Sequence, residues 1–263
     1  MIHLLNSITD ATEAHRGGVA VSGSHGGRYP AAVASRRGLK AAIFNDAGVG
    51  LDEAGVAGVV ALGEIGVPAA TVDCMSARIG NAEEMLARGV VSMINVAAMA
   101  YRVTIGLEAA EAARRFEAAP DPEEMLPQPE EARREIEFGG LRIVLADSAS
   151  LVTPEDAEAV IVTGSHGALI GGDPARALKA PTARLAVFND AGMGLNRVGM
   201  ARLPALDQRQ VPAVTVSAAS ARIGEASSAL ETGVISAANL AASRLGLEEG
   251  LGLRDGIARM ASA

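Results

Sequence analysis

The sequence has no tryptophan, and aromatic residues make up only 2% of its 263 residues. Because 49% of the chain is nonetheless hydrophobic, the core must be built from Ala, Val, Ile and Leu. Side chains this small let helices pack closely on a sheet, which favours an α/β architecture. The length suits one large domain or two small ones.

Cysteine, basic charge and long apolar runs are also scarce. Cys74 is the only cysteine, so no intramolecular disulfide can form, and we expect a cytoplasmic protein. The N-terminal segment lacks the basic start and the apolar stretch of a signal peptide, and no run approaches the ~18 apolar residues of a membrane span. The formal net charge of −8 argues against nucleic acid and anionic membranes as partners.

The chain contains two related segments. "VSGSHG" at 21–26 recurs as "VTGSHG" at 162–167, which is 141 positions later. "FNDAGVGL" at 44–51 recurs as "FNDAGMGL" at 188–195, and "SARIG" also recurs, both 144 positions later. A longer loop after the second GSHG accounts for the difference in spacing. We therefore predict a gene duplication whose two α/β repeats are related by a pseudo-twofold axis.

Repeat 1 covers residues 1–104, and repeat 2 covers residues 141–263. The segment 105–140 joins them, first with an Ala-, Glu- and Arg-rich helix pattern and then with the acidic connector "PDPEEMLPQPEE". Proline excludes regular structure from this connector. We interpret it as a solvated linker, with docking of a partner as the less favoured alternative, because charge runs usually face solvent.

Each repeat has four short apolar runs that we predict to be strands. Continuous rather than alternating apolar runs are typical of strands buried on both faces of a parallel sheet, and the Ala-rich connections permit right-handed crossovers. We expect mainly parallel sheets with flanking helices, in a three-layer Rossmann- or flavodoxin-like fold. The last segment of each repeat, 89–100 and 233–246, is predicted to be a helix. The strands are Ile2–Leu5, Val19–Ser22, Lys40–Phe44, Ala69–Val72, Arg142–Ala146, Ala159–Thr163, Arg184–Phe188 and Ala213–Val216.

A polar motif follows every one of these predicted strands. Ligands of open parallel α/β sheets bind beyond the carboxyl ends of the strands, so the motifs predict a site at that edge. If the edges of the two repeats face each other, they share one cleft; if not, there are two sites. The candidates are Ser7, Ser24, His25, Asn45, Asp46, Ser76 and Arg78 in repeat 1, and Ser148, Ser165, His166, Asn189, Asp190, Ser220 and Arg222 in repeat 2.

The histidines are the first catalytic candidates, because a neutral imidazole can act as general acid, general base or metal ligand. His25 and His166 are two of only four histidines, and turn chemistry does not account for them. The serines beside them, Ser24 and Ser165, either cap the following helix or contact substrate. Ser7 and Ser148 are further substrate-binding candidates.

The Asn-Asp pairs have two interpretations. Asx residues and glycines suit a tight loop or a helix cap. Alternatively, Asp46 and Asp190 orient the histidines, ligate a metal or abstract a proton, while Asn45 and Asn189 hold a substrate oxygen.

The SARIG motifs supply a cation and a hydroxyl just past a buried strand. Arg78 and Arg222 can clamp a carboxylate or phosphate through two hydrogen bonds, with a structural salt bridge as the alternative. Ser76 and Ser220 are the candidates for a nucleophile or an oxyanion donor. Ser92 and Asn95 would share a helix face, where we favour packing.

Cys74 has Ala218 at the corresponding position. We favour a buried inert thiol there over a catalytic one.

These candidates indicate an enzyme that acts on a small, carboxylate-bearing anion. A hydrolase that cleaves an amide, cyclic amide or ester bond fits best; an isomerase or lyase that abstracts a proton beside a carboxylate is the first alternative. A non-catalytic small-molecule or nucleotide-binding module is the second, although neither GxxxxGK[ST] nor GxGxxG occurs. The sequence indicates no particular cofactor, although a divalent metal is a candidate. Two His and two Asp could complete a divalent metal site, but no ligand spacing supports it. Association of the chain into a homo-oligomer is a further alternative.

Overall fold

The computed structural model describes residues 1–127 and 130–262. The chain forms two mixed, mostly parallel sheets flanked by helices, which confirms the α/β prediction. The first sheet lies within residues 1–127, called the N-terminal part below. The second lies within residues 130–262, called the C-terminal part.

The N-terminal sheet has the strand order β1-β2-β3-β4-β5. Strands β1 to β4 are parallel, and β5 pairs antiparallel with β4 at the edge. The elements are β1 (Ile2–Leu5), β2 (Val19–His25), α1 (Arg28–Arg36), β3 (Ala41–Asn45), α2 (Ala57–Glu64), β4 (Ala69–Val72), α3 (Ala82–Arg88), β5 (Val91–Ile94), α4 (Val96–Met99) and α5 (Ala109–Phe116).

The C-terminal sheet has the order β11-β10-β9-β8-β7-β6, with both edge strands antiparallel to their neighbours. Where α1 lies in the N-terminal part, residues 167–184 form only short 3-10 turns. The elements are β6 (Arg133–Phe138), β7 (Leu141–Ala146), β8 (Val160–His166), β9 (Leu185–Asn189), α6 (Arg202–Gln208), β10 (Ala213–Val216), α7 (Ala226–Thr232), β11 (Ile235–Ala238), α8 (Leu240–Ser243) and α9 (Leu253–Ala261).

Both faces of each sheet are covered. In β2, Val19 and Val21 pack in one apolar cluster with Phe116 of α5, whereas Ala20 packs in the other with Val59 of α2. Alternate residues of one strand therefore enter two different cores. This arrangement explains why the strands are apolar without alternation.

Three sequence predictions need correction. Strands follow chain order within each sheet, so the likeness to Rossmann and flavodoxin folds, whose first strand lies inside the sheet, does not extend to strand order. Strand β6 lies in the segment assigned to the linker. The segments 89–100 and 233–246 are each a strand followed by a short helix, because Asn95 and Asn239 accept the N–H groups of Ala98 and Ala242 and so start the helices only there.

Ser92 and Asn95 consequently do not share a helix face. The Ser92 hydroxyl lies 3.0 Å from that of Thr71 on the neighbouring strand. The Asn95 side chain donates to the carbonyls of Val59 and Val67 at 3.0 and 2.9 Å. Both residues thus hold elements together, which is the packing role that we favoured.

The acidic connector has no helix or strand in its described residues, 120–127 and 130–131. It is nevertheless not purely solvated. Leu126 is buried in the apolar cluster beside α1, and its N–H donates to the Ser35 hydroxyl at 2.9 Å. The connector is therefore partly packed on the N-terminal part.

The two parts meet at the loops that follow β3 and β9. The Leu51 N–H donates to Ala218 O, and the Leu195 N–H donates to Cys74 O, both at 2.8 Å. All four residues in each of the stretches 47–50 and 191–194 have positive φ, between 50° and 75°. This conformation brings the backbones of Gly48 and Gly192 together, and a Cβ on either would lie 2.7 Å from the Cα of the other.

No helix in the described part of the chain combines the length and the apolar character that crossing a bilayer requires.

The glycine contact gives a first prediction. Gly48 and Gly66 have nearly the same φ, +71° and +73°, but only Gly48 has neighbours within 4 Å of an added Cβ. Gly66→Ala should therefore cost about 1–2 kcal/mol of unfolding free energy from the left-handed backbone alone. Gly48→Ala adds the backbone clash and should cost more than about 4 kcal/mol. Urea unfolding of both variants measures the difference, and equal losses would contradict the close contact.

Candidate functional site

A cavity of about 340 Å³ lies between the carboxyl ends of β2 and β8. Ser24 and His25 line it from β2, and Ser165 and His166 line it from β8. The strand-end residues of the two parts therefore meet in one cavity. Six of the candidates from the sequence line this cavity, namely Ser7, Ser24, His25, Ser148, Ser165 and His166.

The backbone places the histidines at the strand ends. His25 pairs with Asn45 on β3 and His166 pairs with Asn189 on β9, each after a shift in strand register. Gly23 has no room for a side chain, because a Cβ there would lie 2.6 Å from the carbonyl oxygen of Asn6. The first glycine of GSHG thus permits the strand to pass the preceding loop.

The serines of GSHG bind the preceding loops and do not cap the following helix. The Ser24 hydroxyl accepts the Ile8 N–H at 3.0 Å, and that of Ser165 accepts the Ala149 N–H at 2.8 Å. Helix α1 instead begins after Gly27 without a side-chain cap. The helix-cap interpretation is therefore wrong, because the Ser24 hydroxyl bonds to Ile8 and the N-cap of α1 is Gly27.

Both histidines are uncharged at neutral pH. Burial lowers the pKa of His25 to about 4. Burial, then Arg202 and then His25 lower the pKa of His166 to about 3. The charged form is disfavoured in each case because it would lose hydration in a partly enclosed site.

Hydrogen bonding distinguishes the two rings. Nδ1 of His25 accepts the Gly27 N–H at 3.1 Å, so the uncharged ring carries its proton on Nε2. His25 is thereby a hydrogen-bond donor at Nε2. Nδ1 of His166 is buried and has no hydrogen-bond partner in the described part of the chain. A backbone hydrogen bond with Ala168 partly offsets the lowering of the His166 pKa.

Arg202 also lines the cavity, and the sequence analysis did not identify it. Its side chain is only 3% exposed. Its guanidinium donates to the carbonyls of Ala168, Arg176 and Ala177. Burial and the nearby Arg176 lower its pKa to about 10, which leaves it charged at neutral pH.

The sequence signal for Arg202 is a difference between the repeats. The residue 144 positions earlier is Gly58, and a Cβ there would lie 2.1 Å from the carbonyl oxygen of Gly27. Gly58 lies against α1, whereas Arg202 donates to carbonyls of the loop 167–184, which has no α-helix. A search for identical motifs passes over such a position.

The connector contributes acidic groups to the cavity. Burial raises the pKa of Glu131, hydroxyls of Tyr29 and Ser148 oppose the rise, and Asp147 adds to it. Burial and Glu131 raise the pKa of Tyr29 to about 12. The acidic connector thus forms part of the cavity wall, contrary to its interpretation as a solvated linker.

The remaining serine candidates at β1 and β7 also line the cavity. The Ser7 hydroxyl lies 2.7 Å from that of Thr9, and the Ser148 hydroxyl lies 2.8 Å from that of Ser150. Each pair can offer both a donor and an acceptor to a ligand.

The Asn-Asp pairs lie outside the cavity lining and hold the loops of the junction. Asp46 Oδ1 accepts the N–H groups of Gly48 and Cys74, both at 3.0 Å. Asp190 does the same for Gly192 and Ala218. The expected orientation of His25 by Asp46 is absent from the described residues, because the His25 ring is bonded to Gly27.

The asparagine amides are likewise used by the backbone. Asn45 donates to Ala77 O at 3.1 Å, and Asn189 donates to Ala221 O at 3.0 Å. Their side-chain oxygens accept the N–H groups of Ala47 and Ala191. A substrate oxygen would have to displace these buried bonds.

The SARIG arginines are paired with carboxylates and do not line the histidine cavity. Arg78 bonds to Glu84. Arg222 contacts Asp52 at 2.6 Å and Glu225 at 2.8 Å. Both arginines therefore form structural salt bridges, the alternative that the sequence left open beside an anion clamp.

The SARIG serines serve the backbone. The Ser76 hydroxyl donates to Asp73 O at 2.7 Å and accepts the Val90 N–H at 2.9 Å. Ser220 makes the same two bonds, with Ser217 and Val234. Neither hydroxyl has a base beside it that would make it a nucleophile.

A divalent site built from the two histidines and the two aspartates is not assembled. Among residues 1–127 and 130–262, the group of three potential ligands that converges within 4.8 Å is Asp46, Asp73 and Cys74. Burial, followed by Asp46, raises the pKa of the Cys74 thiol to about 12, so this thiol stays protonated. Cys74 is buried, in line with the interpretation that we favoured.

Three groups in one cavity are thus available to contact a ligand. They are the Nε2 donor of His25, the unpartnered Nδ1 of His166 and the buried guanidinium of Arg202. Comparison of the chain with protein-family models, curated proteins and solved structures finds no match. A functional assignment therefore depends on the chemistry of the cavity.

The lowered histidine pKa values predict a pH effect on stability. Unfolded histidine titrates near 6.5, whereas His25 titrates near 4 in the folded protein. Between these values the unfolded state binds more protons, so the unfolding free energy falls as the pH falls, by up to about 1.4 kcal/mol per pH unit for each histidine. Urea unfolding between pH 7.5 and 5 should show a shallower slope for His25→Gln and for His166→Gln. An unchanged slope in both variants would contradict the buried, uncharged state.

Proposed function

We propose that the protein is an enzyme that acts on a small, carboxylate-bearing anion in the cavity between the ends of β2 and β8. The observation that carries this proposal is the pair of uncharged histidines that line one cavity. Two uncharged imidazoles beside a buried cation form a set of groups suited to acid–base chemistry. The acidic surface of the chain as a whole does not prevent anion binding, because a local cation, Arg202, lies in the cavity.

The two histidines have different proposed roles. His25 donates its Nε2 hydrogen to a carbonyl or carboxylate oxygen of the substrate and stabilises negative charge that develops there. His166 accepts a proton from the carbon next to that group. The electron pair of the broken C–H bond moves onto the oxygen that His25 holds, and the proton returns to another position of the product.

Proton abstraction, as in an isomerase or a lyase, fits the cavity better than hydrolysis by a serine nucleophile. Ser76 and Ser220 lie outside the cavity lining and bond to backbone. Ser24 and Ser165 line the cavity, but their hydroxyls already accept backbone N–H groups. No hydrogen bond in the described residues joins a serine to either histidine.

We also infer that the two parts arose by duplication and are related by a pseudo-twofold axis between Gly48 and Gly192. Reciprocal bonds support this inference: Leu51 to Ala218 and Leu195 to Cys74 are both 2.8 Å long and join residues that correspond in the two repeats. The proposed boundaries of the two repeated segments remain 1–104 and 141–263; of the segment between them, α5 packs in the N-terminal core and β6 belongs to the C-terminal sheet. The single cysteine fits a cytoplasmic location.

Deuterium exchange tests the proposed reaction. The protein is incubated in D₂O with a panel of small dicarboxylates, ureides and cyclic amides, and ¹H NMR follows each compound. We expect exchange at a carbon beside a carbonyl or carboxylate in at least one compound, and a rate at least ~10²-fold lower in His166→Gln. Arg209→Gln, which changes an exposed side chain outside the cavity, serves as the control.

Other results of the same experiment would contradict the proposal. Cleavage of an amide or ester without exchange would make the protein a hydrolase. Binding of a panel member without any turnover would favour the non-catalytic module. Full activity of His166→Gln would remove this histidine from the mechanism.

A further inference from the structure

Arg202 is a buried cation without an anionic partner. No carboxylate oxygen lies within 4.0 Å of its nitrogens in the described part of the chain, whereas Arg78, Arg222 and Arg133 each have at least one. Buried charges in proteins are normally paired, because an unpaired charge loses its hydration without compensation. The guanidinium of Arg202 is therefore buried without the counter-ion that normally offsets the lost hydration.

The contacts of Arg202 hold the guanidinium in place but do not neutralise it. Nε donates to Ala168 O at 3.1 Å, and Nη1 donates to Arg176 O at 3.3 Å. Cζ lies 4.8 Å from the centre of the Phe188 ring. Nη2 has no hydrogen-bond partner in residues 1–127 and 130–262, and the side chain lines the cavity.

Arg202 is also closely connected to His166. Its backbone N–H donates at 2.8 Å to the carbonyl of Gly167, the residue that follows this histidine. The positive charge of Arg202 is one of the causes of the lowered His166 pKa. At a pKa of about 3, His166 is a poor base near neutral pH.

We propose that Arg202 binds the oxyanion group of the ligand, a carboxylate or a phosphate, and that this binding makes His166 a stronger base. An anion against the guanidinium offsets its charge and so removes one cause of the lowered His166 pKa, while burial, the largest cause, remains. The second step rests on the proposed function of His166; the binding step does not. Substrate binding would thus activate the catalytic group.

The other charged groups of the cavity do not supply this effect. Arg176 and Lys179 are cations and would oppose protonation of His166. Of the acids, Asp147 accepts the N–H groups of Ala132 and Ala226 and is committed to the backbone. Glu130 and Glu131 come from the connector, and Glu131 is engaged with Tyr29 and Ser148. His25 is uncharged.

The structure provides one such anion site per chain. At the position of Arg202, the N-terminal part has Gly58, which lies against α1 and carries no charge. One ligand should therefore bind per chain, in one orientation, although both parts contribute a histidine.

NMR titration of the histidines tests the proposal without a variant. Protein with ¹⁵N-labelled histidine is titrated with inorganic phosphate and, separately, with malonate. We expect saturable binding of one anion per chain and a rise of at least one unit in the His166 pKa, with a smaller change at His25. The anion that binds more tightly tells whether the site prefers phosphate or carboxylate. Saturation without a change at His166 would overturn the activation step.

Two arginine variants locate the site. Arg202→Met should weaken anion binding at least tenfold and abolish the change at His166. Arg209→Met is the matched control, because Arg209 also donates to carbonyls of this loop, at Leu178 and Ala180, but is exposed and outside the cavity lining. Equal loss of binding in both variants would overturn the proposal, because it would assign the effect to the loop. If Arg202→Met does not fold, Arg202→Lys retains the charge and should bind the anion with intermediate affinity.

The outcomes separate this inference from the proposed function. Anion binding at Arg202 that raises the His166 pKa, without exchange of any panel compound, supports the site and contradicts the enzyme. Exchange that is unaffected by Arg202→Met supports the enzyme and overturns the anion site.

Discussion

The cavity depends on the contact between the backbones of Gly48 and Gly192. A Cβ on either glycine would lie 2.7 Å from the Cα of the other, so the loops can meet only where both residues lack side chains. Asp46 and Asp190 stabilise the meeting loops by accepting the N–H groups of these glycines at 3.0 Å. Because this contact joins the carboxyl edges of the two sheets, it sets the separation at which His25 and His166 face one space.

The polar residues that recur in the sequence are of two kinds. Some use their polar atoms in hydrogen bonds to the backbone, and others keep an atom free for a ligand. Asp46, Asn45 and Ser76 use their polar atoms on backbone groups of neighbouring loops. His25 and His166 lie at the ends of strands just as these residues do, but each keeps a ring nitrogen that no described residue engages. A polar residue at a strand end is thus a candidate for chemistry only when the backbone leaves it a free donor or acceptor.

Much of the fold could be predicted from the sequence, because the central strands are buried on both faces and are apolar throughout. The eight predicted strands lie within three residues of the observed ends. Strands β5 and β11 were missed because each has only four residues and runs directly into a short helix, so periodicity cannot distinguish them from helix. Strand β6 was missed because it is an exposed edge with charged residues such as Arg133 and Glu135, which resemble a linker.

The site could be predicted only where the two repeats agree. His25, His166 and the adjacent serines were found because they recur, whereas Arg202 was missed because its counterpart is Gly58. A duplicated scaffold of two matched halves offers equal groups on both sides of a cavity and cannot by itself orient a ligand that has one charged end. The C-terminal part has no α-helix in residues 167–184, and the guanidinium of Arg202 is buried against this loop, on one side of the cavity only. The positions at which the repeats differ therefore determine the orientation in which a ligand binds. The role of these positions can be interpreted only when the fold is known.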